Sequence, residues 1–308
     1  MIEKMQPPNF KERAEIAVDA ANQLGEGVVW SPAQGRVLWT DIIGKAFWSY
    51  DPVARTAQKL DLPERLACFA ASGGASILAG FASGLARFDL RSGLREPLAA
   101  IEPDLPTTRL NDGKLDRRGR FVFGTMDEAP SGRQPLGHVW SYNGQSPPRI
   151  LFGDVQISNS IAFSPDGRQM YFADTPLKKI FVFDYDPDEG RISNRAIFAE
   201  IGAEGGFPDG STVDAQGYLW NAEWEGARLV RYSPDGRVDR TIPMPCSRLT
   251  CCAFGGDDLA TLFVTSARTG LDDTRLAAQP LAGALFALDV GVCGLADTMF
   301  QGFESVRS

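Results

Sequence analysis

Histidine is nearly absent: His138 is the only one among 308 residues. With no Gly-x-Ser-x-Gly elbow either, a serine-hydrolase triad has no support. His138 lies inside the strand-like phrase His138-Val-Trp-Ser-Tyr142, where a structural role is expected. Cysteine is also scarce and odd in number, at positions 68, 246, 251, 252 and 293. That spacing fits neither a zinc template nor a secreted disulfide framework, so the cysteines are expected to be small buried hydrophobes in a reducing compartment. No apolar run approaches the roughly 20 residues of a membrane helix. Met1 to Phe10 carries charges and two prolines and has no apolar core of a signal peptide. The expectation is a soluble cytoplasmic protein with no membrane partner. Basic runs are missing too: 31 Lys plus Arg face 39 Asp plus Glu, a net charge of −8. Nucleic acid is therefore not an expected partner. There is no P-loop and no dinucleotide fingerprint followed by a helix. Helical periodicity is weak throughout. Only Asn9 to Ala20 resembles a short helix, and its Ile16-Ala-Val18 end reads equally as a ring-closing strand.

What is present is a repeat. A β-rich phrase recurs as Gly35-Arg-Val-Leu-Trp-Thr-Asp41, Gly119-Arg-Phe-Val-Phe-Gly-Thr125, Gly167-Arg-Gln-Met-Tyr-Phe-Ala-Asp174 and Gly217-Tyr-Leu-Trp-Asn-Ala222. Weaker copies begin at Ala75 and Ala260. Each is followed by a second phrase, such as Ala46-Phe-Trp-Ser-Tyr50 or Lys179-Ile-Phe-Val-Phe183. Such pairs recurring every ~40–50 residues predict blades of about four strands. Ser164-Pro-Asp-Gly167 and Ser233-Pro-Asp-Gly236 are tight-turn signals between strands. No linker divides the chain. The predicted fold is all-β: one six-bladed β-propeller domain over residues 1–308, with 1–20 as an N-terminal extension and ring-closing segment. Asp127 to Leu136, rich in Pro, Gly and charge, is expected to be a loop near the channel mouth.

Counting back from the turn glycines brings oxygen-bearing side chains to one phase. Asn111, Asn159 and Asp209 lie eight residues before Gly119, Gly167 and Gly217, and Glu26 lies nine before Gly35. Singly, such residues are turn formers. Four at one phase, at the entry to strands that line a central channel, converge on the axis. Crowded carboxylates and amides need a neutralising cation. Oxygen-only ligands favour Ca²⁺, Mg²⁺ or Mn²⁺, with Zn²⁺ also accommodated. Glu26, Asn159 and Asp209 leave coordination positions open for water and substrate.

At these residues the sequence resembles the gluconolactonase, regucalcin and luciferin-regenerating-enzyme family. The matching segments are Leu24-Gly-Glu-Gly27, Arg109-Leu-Asn-Asp-Gly-Lys-Leu-Asp116, Gly124-Thr-Met126, Ser158-Asn159, Phe163-Ser-Pro-Asp-Gly167, Tyr171-Phe-Ala-Asp-Thr175 and Pro208-Asp-Gly210, with Cys252-Ala-Phe-Gly-Gly256 in the last blade. The resemblance implies one divalent metal held by Glu26, Asn159 and Asp209, with Asp209 also the catalytic acid/base. It implies substrate contacts from Arg109 and Asn111, and from a carboxylate after Gly-Thr-Met, here Asp127 or Glu128. Two departures are visible. Ser160 stands where the family usually has Gly, and Glu223 and Glu225 flank Trp224; both are expected to bear on substrate choice.

The implied reaction is hydrolysis of a sugar lactone to its aldonic acid, with the metal polarising the carbonyl and Asp209 accepting a proton. A carboxylate on a cation is a weak base, but ring strain and metal-activated water lessen the demand on it. The alternatives are a non-catalytic calcium-binding or regulatory propeller, and a related esterase acting on another lactone or an organophosphate. Pentonolactones, hexonolactones and lactones with a second carboxylate remain open as substrates, as do monomer and homodimer.

Overall fold

The computed structural model describes residues 14–303. The repeat phrases become the second and third strands of six four-stranded antiparallel sheets. In the first blade the strands are Gly25–Ser31, Arg36–Asp41, Ala46–Asp51 and Thr56–Asp61. Its second strand is buried on both faces from Val37 to Asp41, whereas its outermost strand is almost wholly exposed. That gradient explains why the first phrase of each repeat is a largely apolar run: the middle of each blade packs against neighbours on both sides. Cores between blades are aromatic, as where Phe47 of blade one meets Phe69 of blade two edge-on at 5.1 Å.

The first strands of the six blades are Gly25–Ser31, Leu66–Ala71, Thr108–Leu115, Ser158–Phe163, Phe207–Val213 and Leu249–Gly255. Each packs against the first strand of the blade before it and the blade after it, closing a ring around the channel. Both Ser-Pro-Asp-Gly segments are turns, with the glycines at φ +69° and +81°, where glycine carries no Cβ penalty.

Closure comes from the N-terminal side. Glu15–Val18 pairs antiparallel with Leu285–Asp289, completing the sixth blade. The strand alternative for Ile16-Ala-Val18 is therefore the one observed, while residues 9–13 of that segment lie outside the described residues. At the other end of the chain, residues 292–300 cross the far end of the channel. Ala215 N–H donates to the Cys293 carbonyl (2.9 Å), Gly294 N–H to Leu259 (2.8 Å) and Phe300 N–H to Ala71 (2.8 Å). Lys114 reaches Asp297 at 3.5 Å, and the Thr298 hydroxyl donates to the Asp116 carbonyl at 2.7 Å.

Among the described residues the only α-helix is the short Asp273–Ala278, and no helix is long and apolar enough to cross a membrane. Four cysteines are buried as expected and none is bridged, but Cys293 is exposed on the C-terminal strap.

Deleting residues 1–18 is expected to lower the thermal midpoint by about 5 °C or more, at roughly 2–4 °C per kcal/mol for a domain of this order. Circular dichroism melts of full-length and truncated protein would check this. An unchanged midpoint would show that the joined blade adds nothing to stability.

Candidate functional site

Each blade places one residue at the same level of the channel, and pairing with the second strand identifies it. Gly25 pairs with Asp41, Thr108 with Asp127, Ser158 with Asp174 and Pro208 with Glu223. All four acids are buried. The next residue along the first strand is then Glu26, Arg109, Asn159 or Asp209. In the remaining blades Leu66 pairs with Phe81 and Leu249 with Ser266, so Ala67 and Thr250 complete the level. Just beyond it the register slips by one residue in every first strand, for example between Glu26 and Val29 and between Asn159 and Ala162. Such β-bulges re-aim side chains and commonly sit beside functional sites. Counting from turn glycines had put Asn111 at this level. Strand pairing puts Arg109 there, with Asn111 two residues further along, within the bulge.

The structure links four of the six predicted residues, Glu128, Arg109, Asn111 and Asn159, by an ion pair and hydrogen bonds; the Glu26 and Asp209 carboxyls stand apart from this train. Glu128 lies 2.8 Å from Arg109 Nε and 2.9 Å from Arg65 Nη1. Arg109, 6% exposed, donates through Nη1 to Asn111 Oδ1 (2.8 Å) and to the Leu110 carbonyl (2.8 Å). Asn111 Nδ2 donates to Asn159 Oδ1 (3.1 Å) and to the Ser158 carbonyl (2.9 Å). Asn159 Nδ2 donates to the Thr175 hydroxyl (2.8 Å), which donates to the Pro208 carbonyl (2.9 Å). Thr175 therefore fixes the amide with its nitrogen toward blade five's entry and its oxygen toward Asn111. Of the two acids after Gly-Thr-Met, Asp127 accepts from Ala129 N–H (3.0 Å) and Gln134 N–H (2.8 Å), holding the following loop. Glu128 is the one that faces Arg109.

The charge balance is strained. Asp209 is 5% exposed, and its Oδ1 has no hydrogen-bond partner. Desolvation first, then the charges of Glu26 and Asp112, hold its carboxyl well above the usual range. Desolvation and the Asp112 charge push Glu26 up to about 8, against a backbone N–H from Gly27 and the pull of Arg109. Asp112 is raised as well, mainly by desolvation, although Gly113 N–H (2.8 Å) and Ile161 N–H (3.0 Å) both donate to it. Three buried carboxyls with raised proton affinity, two of them raised further by a neighbour's charge, favour uptake of protons or a cation. Among the described residues no three His, Cys, Asp or Glu side chains converge closely enough to form a ligand set unaided. The oxygen donors here are mixed, carboxylates plus the tethered Asn159 amide.

Several residues escaped the sequence reading. Asp112 lies inside a quoted motif but carried no assigned role. Thr175 had no signal beyond its place after Asp174. Glu223 and Glu225 were expected to bear on substrate choice, and the structure engages both in ion pairs. Glu223 accepts from Gly206 N–H (2.9 Å) and pairs with Arg228 at 2.7 Å. Glu225, at φ +60°, joins Arg248 (2.6 Å) to Arg275 of the short helix (2.5 Å). His138 sits in the third blade, its Nδ1 2.8 Å from Glu102, away from this level.

A propeller whose blades present Glu, Asn and Asp at one level, beside an Arg–Asn pair, defines a family as well as a fold. The family described as the SMP-30/Gluconolactonase/LRE-like region matches residues 24–268, and the chain belongs to it. It is 41% identical over 292 residues to the L-arabinolactonase of Azospirillum brasilense, covering 94% of this chain and 96% of that protein. It is 35% identical over 294 residues to the 6-deoxy-6-sulfogluconolactonase of Pseudomonas putida, covering 95% and 100%. The solved structure of a calcium-binding protein, regucalcin, from Agrobacterium tumefaciens superposes with a TM-score of 0.89 at 30% identity, covering 94% of this chain and 97% of that one.

A raised carboxyl in the folded state contributes stability that is present below its unfolded value and lost as pH rises through its folded value. With chelator present, the thermal midpoint is therefore expected to fall between about pH 4.5 and 8, the window set by Glu26. Glu26→Gln should flatten that slope. Melting curves across pH for both proteins would check it, and identical slopes would refute the assignment.

Proposed function

We propose that this protein hydrolyses the ring ester of a sugar lactone to the open aldonic acid and needs a divalent cation to do so. The observation that carries the reading is Asp209: a buried carboxyl with an unpartnered oxygen, at one level with Glu26 and with the Asn159 amide that Thr175 tethers. Glu26, Asn159 and Asp209 would hold the cation. Their oxygen donors suit Ca²⁺, Mg²⁺, Mn²⁺ or Zn²⁺. When bound, it supplies stabilisation of the negative charge that develops on the lactone carbonyl oxygen and acidifies nearby water.

The chain's own residues do the rest. Asp209 Oδ1 takes the proton from the attacking water and returns one to the ring oxygen as the C–O bond opens. Arg109 is immobilised through Nε and Nη1, which leaves Nη2 to donate to a substrate oxygen. Asn111 Oδ1 keeps one lone pair for a sugar hydroxyl beyond the bond it accepts from Arg109. Glu128, about one-third exposed, offers an acceptor to hydroxyls while it orients Arg109. Holding Arg109 and Asn111 in place before substrate arrives lowers the entropy cost of reaching the reactive geometry.

The relatives named as lactonases for arabinose and sulfogluconate derivatives make L-arabinonolactone the first substrate to try, with a sulfonated hexonolactone as comparator. Proton release is followed after chelation and after adding back each of the four cations. Turnover should require metal, and Asp209→Asn should lower kcat by about 100-fold or more. Metal-independent turnover, or full activity in Asp209→Asn, would overturn the mechanism. A folded protein that binds metal but opens no lactone would be a binding propeller instead.

Thr175→Val keeps the shape and removes the tether on Asn159. Outer partners of ligands typically contribute 10–100-fold in metal affinity. A loss of about tenfold in cation affinity is expected by calorimetry, and an unchanged affinity would remove Thr175 from the site.

A further inference from the structure

Ser160 follows Asn159 directly, in the bulge of the fourth blade's first strand, and has two features that do not occur together by default. Its backbone is left-handed, at φ +59°, a conformation that disfavours any residue with a Cβ. It is also completely buried, where a hydroxyl needs a partner. Glycine would satisfy the backbone at no cost. The hydroxyl instead crosses to the next blade and donates to the main-chain carbonyl of Asp209 at 2.5 Å.

Asn221, fully buried in the second strand of the fifth blade, secures the same carbonyl. Its Nδ2 lies 3.1 Å from the Asp209 carbonyl oxygen, 3.0 Å from Ser160 Oγ and 2.9 Å from Ser211 Oγ. Three oxygens around one amide nitrogen identify it as the donor end. The result is a closed latch on the Asp209 peptide, made within the fold and untouched by solvent. Asp209 and Gly210 sit where the register slips between Pro208 and Ser211, so strand pairing does not hold the Asp209 backbone. The Thr175 hydroxyl holds the Pro208 carbonyl one residue earlier at 2.9 Å, and the latch extends that hold to the Asp209 peptide itself.

We infer that Ser160, backed by Asn221, is a positioning residue: its hydroxyl fixes the Asp209 peptide across the blade boundary and so aims the Asp209 carboxyl at the cation and the substrate. The inference rests on the reading above for the role of Asp209. It adds to the Thr175–Pro208 bond a second link between the blade carrying Asn159 and the blade carrying Asp209, and it gives Ser160 a task that offsets its unfavourable backbone.

Two substitutions separate positioning from stability. Ser160→Gly removes the hydroxyl and relieves the backbone, so the thermal midpoint should stay close to the parent's. Ser160→Ala removes the hydroxyl and keeps the strain, so its midpoint should fall. Cation affinity, measured by calorimetry with Ca²⁺ or Mn²⁺ and no lactone, should drop about tenfold in both variants, as for other outer partners of metal ligands. On an active lactone kcat should fall by a similar factor with KM little changed. An affinity equal to the parent's in Ser160→Gly, or an affinity that declines only in Ser160→Ala in step with its midpoint, would overturn the inference. So would a parent protein that binds neither cation. Should the parent bind the cation and open no lactone while Ser160→Gly still weakens binding, the positioning role stands and the lactonase reading fails.

Discussion

Three buried acids near the ends of second strands, Asp41, Asp174 and Glu223, govern the site by holding the backbone that leads into it. Asp41 accepts from the backbone N–H groups of Gln23, Leu24 and Gly44, each at 2.9 Å. Asp174 does the same for Gln156 (3.1 Å) and Ile157 (2.9 Å), and Glu223 for Gly206 (2.9 Å). All of these donors but Gly44 lie two or three residues before Glu26, Asn159 and Asp209, where the chain enters the first strands. A buried carboxylate with two or three N–H donors is well satisfied, and losing it would orphan all of them at once. The register at which each first strand enters the channel is thus set by a side chain on its neighbour. Because register decides which face every side chain takes, a slip of one residue would turn the ring of polar residues into the blade walls.

Within that frame the channel concentrates negative charge against the ordinary logic of burial. Glu26, Asp112 and Asp209 share it with Arg109 and Lys114, but Arg109 is already paired with Glu128 and Lys114 points to the strap through Asp297. Desolvation is the leading cause of every raised carboxyl there. The same feature bears on the proposed double role of Asp209, as cation ligand and as base. Contact with a cation depresses a carboxylate's proton affinity, while burial beside two like charges raises it. On the proposed reading Asp209 would sit where the two oppose each other, and would keep basicity that an exposed ligand carboxylate lacks.

Much of this was legible before any coordinates. Six blades follow from the paired phrases, since strands buried on both faces have to be apolar throughout, as Val37 to Trp39 and Met170 to Ala173 are. Glu26, Asn159 and Asp209 could be found by counting from turn glycines because the hairpins after them have nearly constant length. The same count missed Arg109, whose first strand runs to Leu115 and shifts the level by two residues. Asp112 was hidden for a different reason. Asn111-Asp-Gly has the composition of a turn, and only the bulge reveals that its carboxyl bridges to Ile161 in the next blade. The Ser160 latch has no sequence signature, because it joins a departure from glycine in one blade to an Asn 61 residues later in another.

Around the mouth two assemblies repeat one arrangement: a glutamate shared by two arginines. Glu128 lies between Arg65 and Arg109, and Glu225 between Arg248 and Arg275. Each leaves one positive charge in excess, on a protein whose formal net charge is −8. The pairing has a mechanical side as well. Arg275 belongs to the helix of the longest loop on this face and Arg248 to the start of the sixth blade, so Glu225 ties the loop down; Arg248 also lies 4.8 Å over the Trp224 ring. Shared ion pairs of this kind hold their geometry better than isolated ones, because each charge is restrained from two sides. The rim is therefore both stiff and positive above a negative ring. On the proposed reading, charge appearing on a lactone as its ring opens would develop between the two, and fixed dipoles and charges would meet it without having to reorganise.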